Sequence, residues 1–254
     1  MSGHTNCHGR CVAAKIAGHK RLAARETAAN LQVVVKWRSD VASDWDVGRI
    51  ISSDACVAEG AEWLAARDPS FAKALQLTGP LPLRRKPDGF AELLSAIVSQ
   101  QVSVASAQAI WGRITAANLS EAHQVREASE EDLRAVGLSR PKMRYARALA
   151  ESYIDFNALR ALPDAEVVET LVKVQGIGAW TAEIYAMFSL GRADVFAPGD
   201  LALQEAARIL FELPDRPKER ELRIMAEDWS PWRSVAARLL FSYYRVAKSR
   251  EGIR

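Results

Sequence analysis

No apolar run in this 254-residue chain is long enough to cross a bilayer, and no secretory h-region is visible. The expectation is a soluble, cytoplasmic protein that makes no use of a membrane. Cysteine is scarce. Cys7, Cys11 and Cys56 are odd in number and all precede residue 57, which argues against a disulfide framework and for a reducing compartment. Charge of one sign is missing as well. Residues 1–46 hold seven Lys/Arg against four Asp/Glu, residues 47–254 hold 27 of each, and the whole chain carries +3. With no global positive field, a nucleic-acid partner would have to be held by local basic patches and backbone amides. Signals for β-hairpins, low-complexity tracts and fixed repeats are also lacking.

What is present is helical. Alanine, leucine, arginine and glutamate abound, and apolar residues recur with a period near 3.6 in a chain long enough for a substantial core. Residues 1–46 stand apart: their apolar pattern is irregular, and they read as a disordered extension or a start placed too far upstream. Within them "HTNCHGRC" offers His4, Cys7, His8 and Cys11, ligand types suited to zinc. All four are crowded into eight residues, so the cluster reads as incidental and no metal is expected. From Asp54 the signals become regular. "DACVAEGAEWLAARD" starts on a capping aspartate, "PSFAKALQLTG" ends at Gly79, and "GPLPLRRKPDG" is a linker. "FAELLSAIVSQQ" and "VSVASAQAIWGRITAAN" are helices separated by a short break. "SEEDLRAVG", "SRPKMRYARALAESYIDF", "PDAEVVETLVKV" and "AWTAEIYAMFSLG" are helices too, another begins at Asp200, and "SPWRSVAARLLFSYYRVAKSR" is the last.

The segment "VQGIGAWTAE", residues 174–183, sets Gly176 and Gly178 around Ile177, between two helices. Glycine there permits positive φ and lets a partner approach the backbone closely. The first amides of the following helix lack internal acceptors and lie at the positive end of its dipole, a seat for one phosphate. An ordinary αα turn with Ile177 plugging the core is the plainer reading. A dinucleotide fingerprint is excluded, because no strand precedes the turn and Thr181 stands where a third glycine belongs.

Four blocks, in order, extend this hairpin. "LVKVQGIGAWTAEIYAMFSLGRADVFAPGD" resembles the hairpin and the Gly/Pro-rich, aspartate-ending loop of the helix-hairpin-helix DNA glycosylase superfamily. "AIVSQQVSVASA" (96–107), "GLSRPKMRYARALA" (137–150) and "WSPWRS" (229–234) are similar to its 3-methyladenine DNA glycosylase II branch. The resemblance covers about residues 50–248. It implies an all-α domain over 47–254 with two helical subdomains, the hairpin at about 171–190 and the active-site cleft between the subdomains. It also implies a monomeric, nucleoid-associated enzyme of base excision repair acting on double-stranded DNA that contains alkylated bases. The additional N-terminal β-domain of some bacterial relatives is not expected. No cofactor is implied; the one ion allowed for is a monovalent cation at the hairpin carbonyls.

The resemblance assigns Asp200 as the essential carboxylate, a residue whose plain role is to cap the helix after it; both roles can hold together. Cleaving an N-glycosidic bond develops positive charge on the deoxyribose, which a fixed anion stabilises. An N3- or N7-alkylated purine is already cationic and leaves without a proton donor, so one carboxylate suffices. Bifunctional relatives carry a Schiff-base lysine where this chain has Trp180, and the iron–sulfur members place four cysteines after the aspartate where this chain has none. A monofunctional enzyme without a cluster is expected. Trp180 reads either as a pocket ring for a flipped cationic base or as the head of a core stripe with Ile184, Met187 and Phe188. Trp232 matches a second pocket aromatic, and Ile184 occupies the family's tyrosine position. Gln101 is expected as the side chain wedged into the gap left by the flipped nucleotide, with surface placement of Gln100 and Gln101 as the alternative. The DNA contacts expected are Gln101, Gly176, Ile177, Gly178 and Thr181, with Arg140, Lys142 and Arg144 as basic candidates. Two competing functions stand beside this one: a lesion-binding module without chemistry, and a glycosylase for uracil or hypoxanthine.

Overall fold

A computed structural model describes residues 47–250, which belong to one compact unit. The expectations for residues 1–46, the His/Cys cluster among them, lie outside the described residues. The described residues are mostly helical. Their one piece of β-pairing is an isolated antiparallel bridge between Ile50 and Arg192.

The N-terminal signals act as the sequence implies, with one shift. Ser53, not Asp54, caps α1 (Asp54–Arg67), its hydroxyl accepting from the Cys56 amide; Asp54 is the first helical residue, favourable at the positive end of the dipole. Asp68 then caps α2 (Pro69–Thr78), with Pro69 where no amide hydrogen is needed, and Gly79 ends it at φ 67°. After the proline-rich linker come α3 (Phe90–Ser99) and α4 (Val104–Ala116). Next are two short helices, α5 (Ala122–Glu127) and α6 (Glu130–Ala135), and then α7 (Arg140–Glu151). A further short helix, α8 (Phe156–Ala161), precedes the hairpin pair α9 (Asp164–Val172) and α10 (Ala179–Phe188). The chain continues through α11 (Leu201–Leu210), α12 (Glu219–Met225), a 3₁₀ turn (Ala226–Trp229) and the long α13 (Arg233–Arg250). Helices α5, α8 and α12 span six or seven residues each, too few for an apolar period to announce them.

These helices pack in two groups. In one, α13 lies against α1, α2, α11 and the 3₁₀ turn; in the other, α7 gathers α3, α5 and α6, while α9 pairs with α10. Aromatic residues centre the first group. The Trp229 ring is stacked on Phe211 at 5.9 Å and meets the edges of Phe71 and Phe196 at 5.4 and 5.3 Å. The linker ties the first group to the end of α10: Lys86 N donates to Phe188 O, and Gly89 N donates to the Tyr185 hydroxyl at 2.7 Å. Arg238 of α13, wholly buried, completes this junction. Its guanidinium donates to Leu83 O, Met187 O and both oxygens of Ser234. Burial lowers its pKa to about 10, so it remains a cation, satisfied by carbonyls and a hydroxyl rather than by a carboxylate.

Trp232 belongs to this core and not to an open pocket, which corrects the expectation from the sequence. It is 2% exposed, lies beneath the Arg49 guanidinium at 4.3 Å, and fills the space that Gly60 of α1 leaves. A Cβ on Gly60 would lie 2.6 Å from Trp232 Cε3. Glycine in the middle of α1 costs helix stability, and here its bareness is what admits the indole.

Candidate active site

The loop between α10 and α11, residues 189–199, delivers a carboxylate to a fixed place. Ala193 is tied through its amide to Arg49 O and through its carbonyl to Ser234 N, each at 2.9 Å. Asp194 takes two bonds from Arg233, at 2.7 and 2.8 Å, and one from Ser230 at 2.8 Å. Val195, Phe196 and Ala197 are buried. Gln204 reaches back from α11 to Pro198 O at 2.8 Å, and Asp200 N donates to Ala197 O. A loop held at so many points has little freedom to move what it carries.

It carries Asp200, the N-cap of α11. Oδ1 accepts from the amides of Ala202 and Leu203 at 2.8 and 3.1 Å. The other oxygen, Oδ2, accepts from Trp180 Nε1 at 2.9 Å. The cap reading is therefore correct and leaves a second oxygen for other work. Trp180 is the second residue of α10 and 46% exposed, so it does not belong to the core; the stripe of Met187 and Phe188 is buried further along the helix, with Ile184 half-buried between. Leu201, directly after Asp200, is also exposed. Sequence reasoning passed over it, yet the pattern holds a signal: Leu203, Ala206, Ala207 and Leu210 form the buried face of α11, and Leu201 lies off it. One turn beyond Trp180, buried Glu183 pairs with Arg223 of α12 at 3.0 Å. Burial pushes its carboxyl pKa up, and the arginine opposes that.

The hairpin divides into structural and accessible parts. Gly176 is at φ 94° and faces Tyr145 so closely that a Cβ would lie 2.3 Å from Cγ. Gly178 is the N-cap of α10 with no side-chain cap, and the space where its Cβ would stand is open. The amides that open α10 are thus left for an outside acceptor. Ile177 and Thr181, expected among the DNA contacts, are instead 4% and 7% exposed. Their side chains face inward, and the Ile177 amide is spent on Val174 O. Lys142 is a correction of the same kind. It is 8% exposed, and its ammonium donates to Val98 O near the end of α3 at 2.7 Å; burial lowers its pKa. Arg140 and Arg144, on the same helix, are exposed. Gln101 is exposed in the α3–α4 loop at φ 55°, flanked by exposed Val102 and Val104. Gln100 is half-buried, and its side chain donates to Gly176 O, one of the hairpin carbonyls considered for a cation, at 2.9 Å.

Among the described residues, no cluster of His, Cys, Asp and Glu is placed to hold a metal ion, and no helix is long and apolar enough to cross a membrane. What the residues do assemble is a carboxylate beside an exposed indole, a helix N-terminus without a side-chain cap two residues from that indole, and an exposed loop that carries Gln101. A glycine turn between two helices, followed by a loop that ends on a helix-capping carboxylate, makes this a helix-hairpin-helix protein. Residues 94–231 match the HhH-GPD superfamily of base excision DNA repair proteins, and the chain belongs to that family. It is 28% identical over 203 residues to DNA-3-methyladenine glycosylase 1 of Schizosaccharomyces pombe, covering 75% of this chain and 89% of that one. Against DNA-3-methyladenine glycosylase 2 of Escherichia coli it is 29% identical over 171 residues, 62% of this chain and 57% of that protein. Its fold superposes on the crystal structure of a DNA-3-methyladenine glycosidase from Bacillus halodurans with a TM-score of 0.68 at 32% identity, covering 76% of this chain and 91% of the other.

Proposed function

We propose that this protein is a monofunctional DNA glycosylase that removes alkylated purines of the 3-methyladenine and 7-methylguanine type from duplex DNA. The observation that carries the reading is the Asp200 carboxylate, held by α11 and by the Trp180 indole on a pinned loop. Relatives support it: the fission-yeast 3-methyladenine DNA glycosylase Mag1, solved in complex with abasic DNA, is 29% identical with a TM-score of 0.63, covering 72% of this chain and 95% of that one. The α10 amides seat a backbone phosphate, Gln101 fills the space of the extruded nucleotide, and the exposed indole stacks on the cationic base. As the bond from C1′ to the base nitrogen lengthens, its electron pair moves to the base and cancels the base's positive charge. Positive charge appears on the sugar, facing Asp200; water bonds to C1′ and gives up its proton to the Asp200 carboxylate, which passes it to solvent. No protonated carboxyl is required, because the leaving group is already charged.

Trp180 also supports the monofunctional assignment. An indole nitrogen forms no Schiff base, so the product is an abasic site in an intact strand. Asparagine at position 200 keeps the size and much of the capping ability while removing the charge. Asp200→Asn should fold with nearly wild-type stability and release methylated base about a hundred- to a thousand-fold more slowly in single turnover. Its affinity for a duplex bearing an uncleavable abasic analogue should survive. Wild-type protein incubated with methylated duplex should yield free 3-methyladenine or 7-methylguanine by mass, and nicks only after hot alkali. Release of uracil or hypoxanthine alone, a borohydride-trapped adduct, or an Asp200→Asn variant with the wild-type rate would each overturn the corresponding part of this reading.

A further inference from the structure

Three contacts meet where the α3–α4 loop joins the hairpin. Gln100, the C-cap of α3, donates from Nε2 to Gly176 O at 2.9 Å across 76 positions of sequence. Lys142 donates from Nζ to Val98 O at 2.7 Å, two residues before Gln100. Tyr145 presses on Gly176 from the same helix as Lys142. Residues three apart share a helix face, so one face of α7 touches both the root of the loop and the turn of the hairpin. Gln100 closes the triangle. The next residue, Gln101, stands exposed in a left-handed conformation, which a non-glycine residue adopts only when its surroundings over-determine it. Its bonded neighbour Gln100, at φ −62° and ψ 131°, precedes it as the first central residue of a type II turn.

We propose that Gln100 is a positioning residue: through its bond to Gly176 it couples the phosphate-binding hairpin to the loop that inserts Gln101, while Lys142 anchors the root of that loop. The proposal rests on the reading of Gln101 as the inserted side chain. Seating the hairpin on the damaged strand then sets the depth and direction of the insertion, and grip and extrusion become one event. A purely structural bond would add stability without this coupling, so the two roles separate in the kinetics.

The test compares wild type, Gln100→Leu, Gln101→Ala and the double variant. The DNA is a duplex with one 7-methylguanine, a second duplex with 2-aminopurine at the lesion position, and a bulged DNA in which the methylated base is already unpaired. Gln100→Leu keeps the volume and loses the donor. It should bind undamaged duplex like wild type, yet slow both the 2-aminopurine signal and duplex excision about fivefold, the worth of one net hydrogen bond. Excision from the bulge should be unchanged, and the double variant should be no slower than the slower single. If Gln100→Leu behaves as wild type while Gln101→Ala is slow, the coupling is wrong and the insertion reading stands. If Gln101→Ala is as fast as wild type, the insertion reading fails and the proposal with it. Independent, multiplying defects, or equal slowing on the bulge, overturn the coupling alone. Should Gln100→Leu fail to fold, Gln100→Asn, one methylene too short to reach Gly176 O, takes its place with the same expected outcomes.

Discussion

Asp200 divides its work between its two oxygens, and Trp180 determines what the second can do. With Oδ1 engaged by two helix amides, rotation of the carboxyl is suppressed; the indole N–H then fixes Oδ2 toward the side where Trp180 is exposed. Trp180→Phe separates these contributions, since it keeps an aromatic face for stacking and deletes the donor. A hydrogen bond to a charged acceptor contributes about 1.5–3 kcal/mol, so single-turnover excision should fall about ten- to a hundred-fold. Affinity for lesion duplex should be nearly retained, whereas Trp180→Ala should lose both rate and lesion affinity. Equal rates for the phenylalanine variant and wild type would show that the indole only stacks. Both residues were singled out in the chain, Asp200 and Trp180 alike through the resemblance of the block that holds them. Their hydrogen bond was not legible there, since nothing local to "GAWT" or "PGDL" says that they meet.

At the scale of the element, the two hairpin glycines make opposite demands. Gly176 is required from inside: alanine there would meet both a positive φ and the Tyr145 ring, and about 2–4 kcal/mol of stability should be lost in a urea titration. Gly178 is required from outside. At φ −89° with open space around it, valine should cost little stability but should weaken binding to every duplex, damaged or not, because a phosphate contact reads no sequence. Titration of Gly178→Val against plain and lesion-bearing duplexes checks this; a loss confined to lesion DNA would place the turn in the pocket. The hairpin and the longer helices were readable because caps, glycines and a 3.6 period are local. Lys142 was misread for the complementary reason. In "RPKMR" it looks like one more surface cation, and only the distant carbonyl of Val98 explains its burial. Thr181 likewise faces a core that its own hairpin does not reveal, whereas Ile177 plugs the core as the plainer reading of the turn has it.

For the molecule as a whole, the groups proposed to face DNA are held in place by a buried core. Trp232 sits between α1 and the start of α13, beside the Ala193 and Asp194 anchors of the loop that carries Asp200. Trp232→Ala should therefore destabilise the fold by about 3–5 kcal/mol and lower the calorimetric melting temperature. The fraction that remains folded should still cleave. A variant that melts like wild type but no longer discriminates between lesions would return this ring to the pocket. Its aromatic character alone could not distinguish the two roles, because a large ring suits a core and a base pocket equally well. Gly60, some 170 positions earlier, decides it.

The pinned loop has a mechanical consequence. The carboxylate cannot swing toward a base, and on the proposed reading the inserting loop is braced as well, so the double helix must supply the motion. The work of distortion then lies in the nucleic acid, in how readily a given step unstacks and kinks. Two identical lesions should differ in their rate of removal according to their neighbours, and a weakly stacked or mispaired context should yield first. On that reading, part of what this protein recognises is the compliance of the duplex at the damaged position.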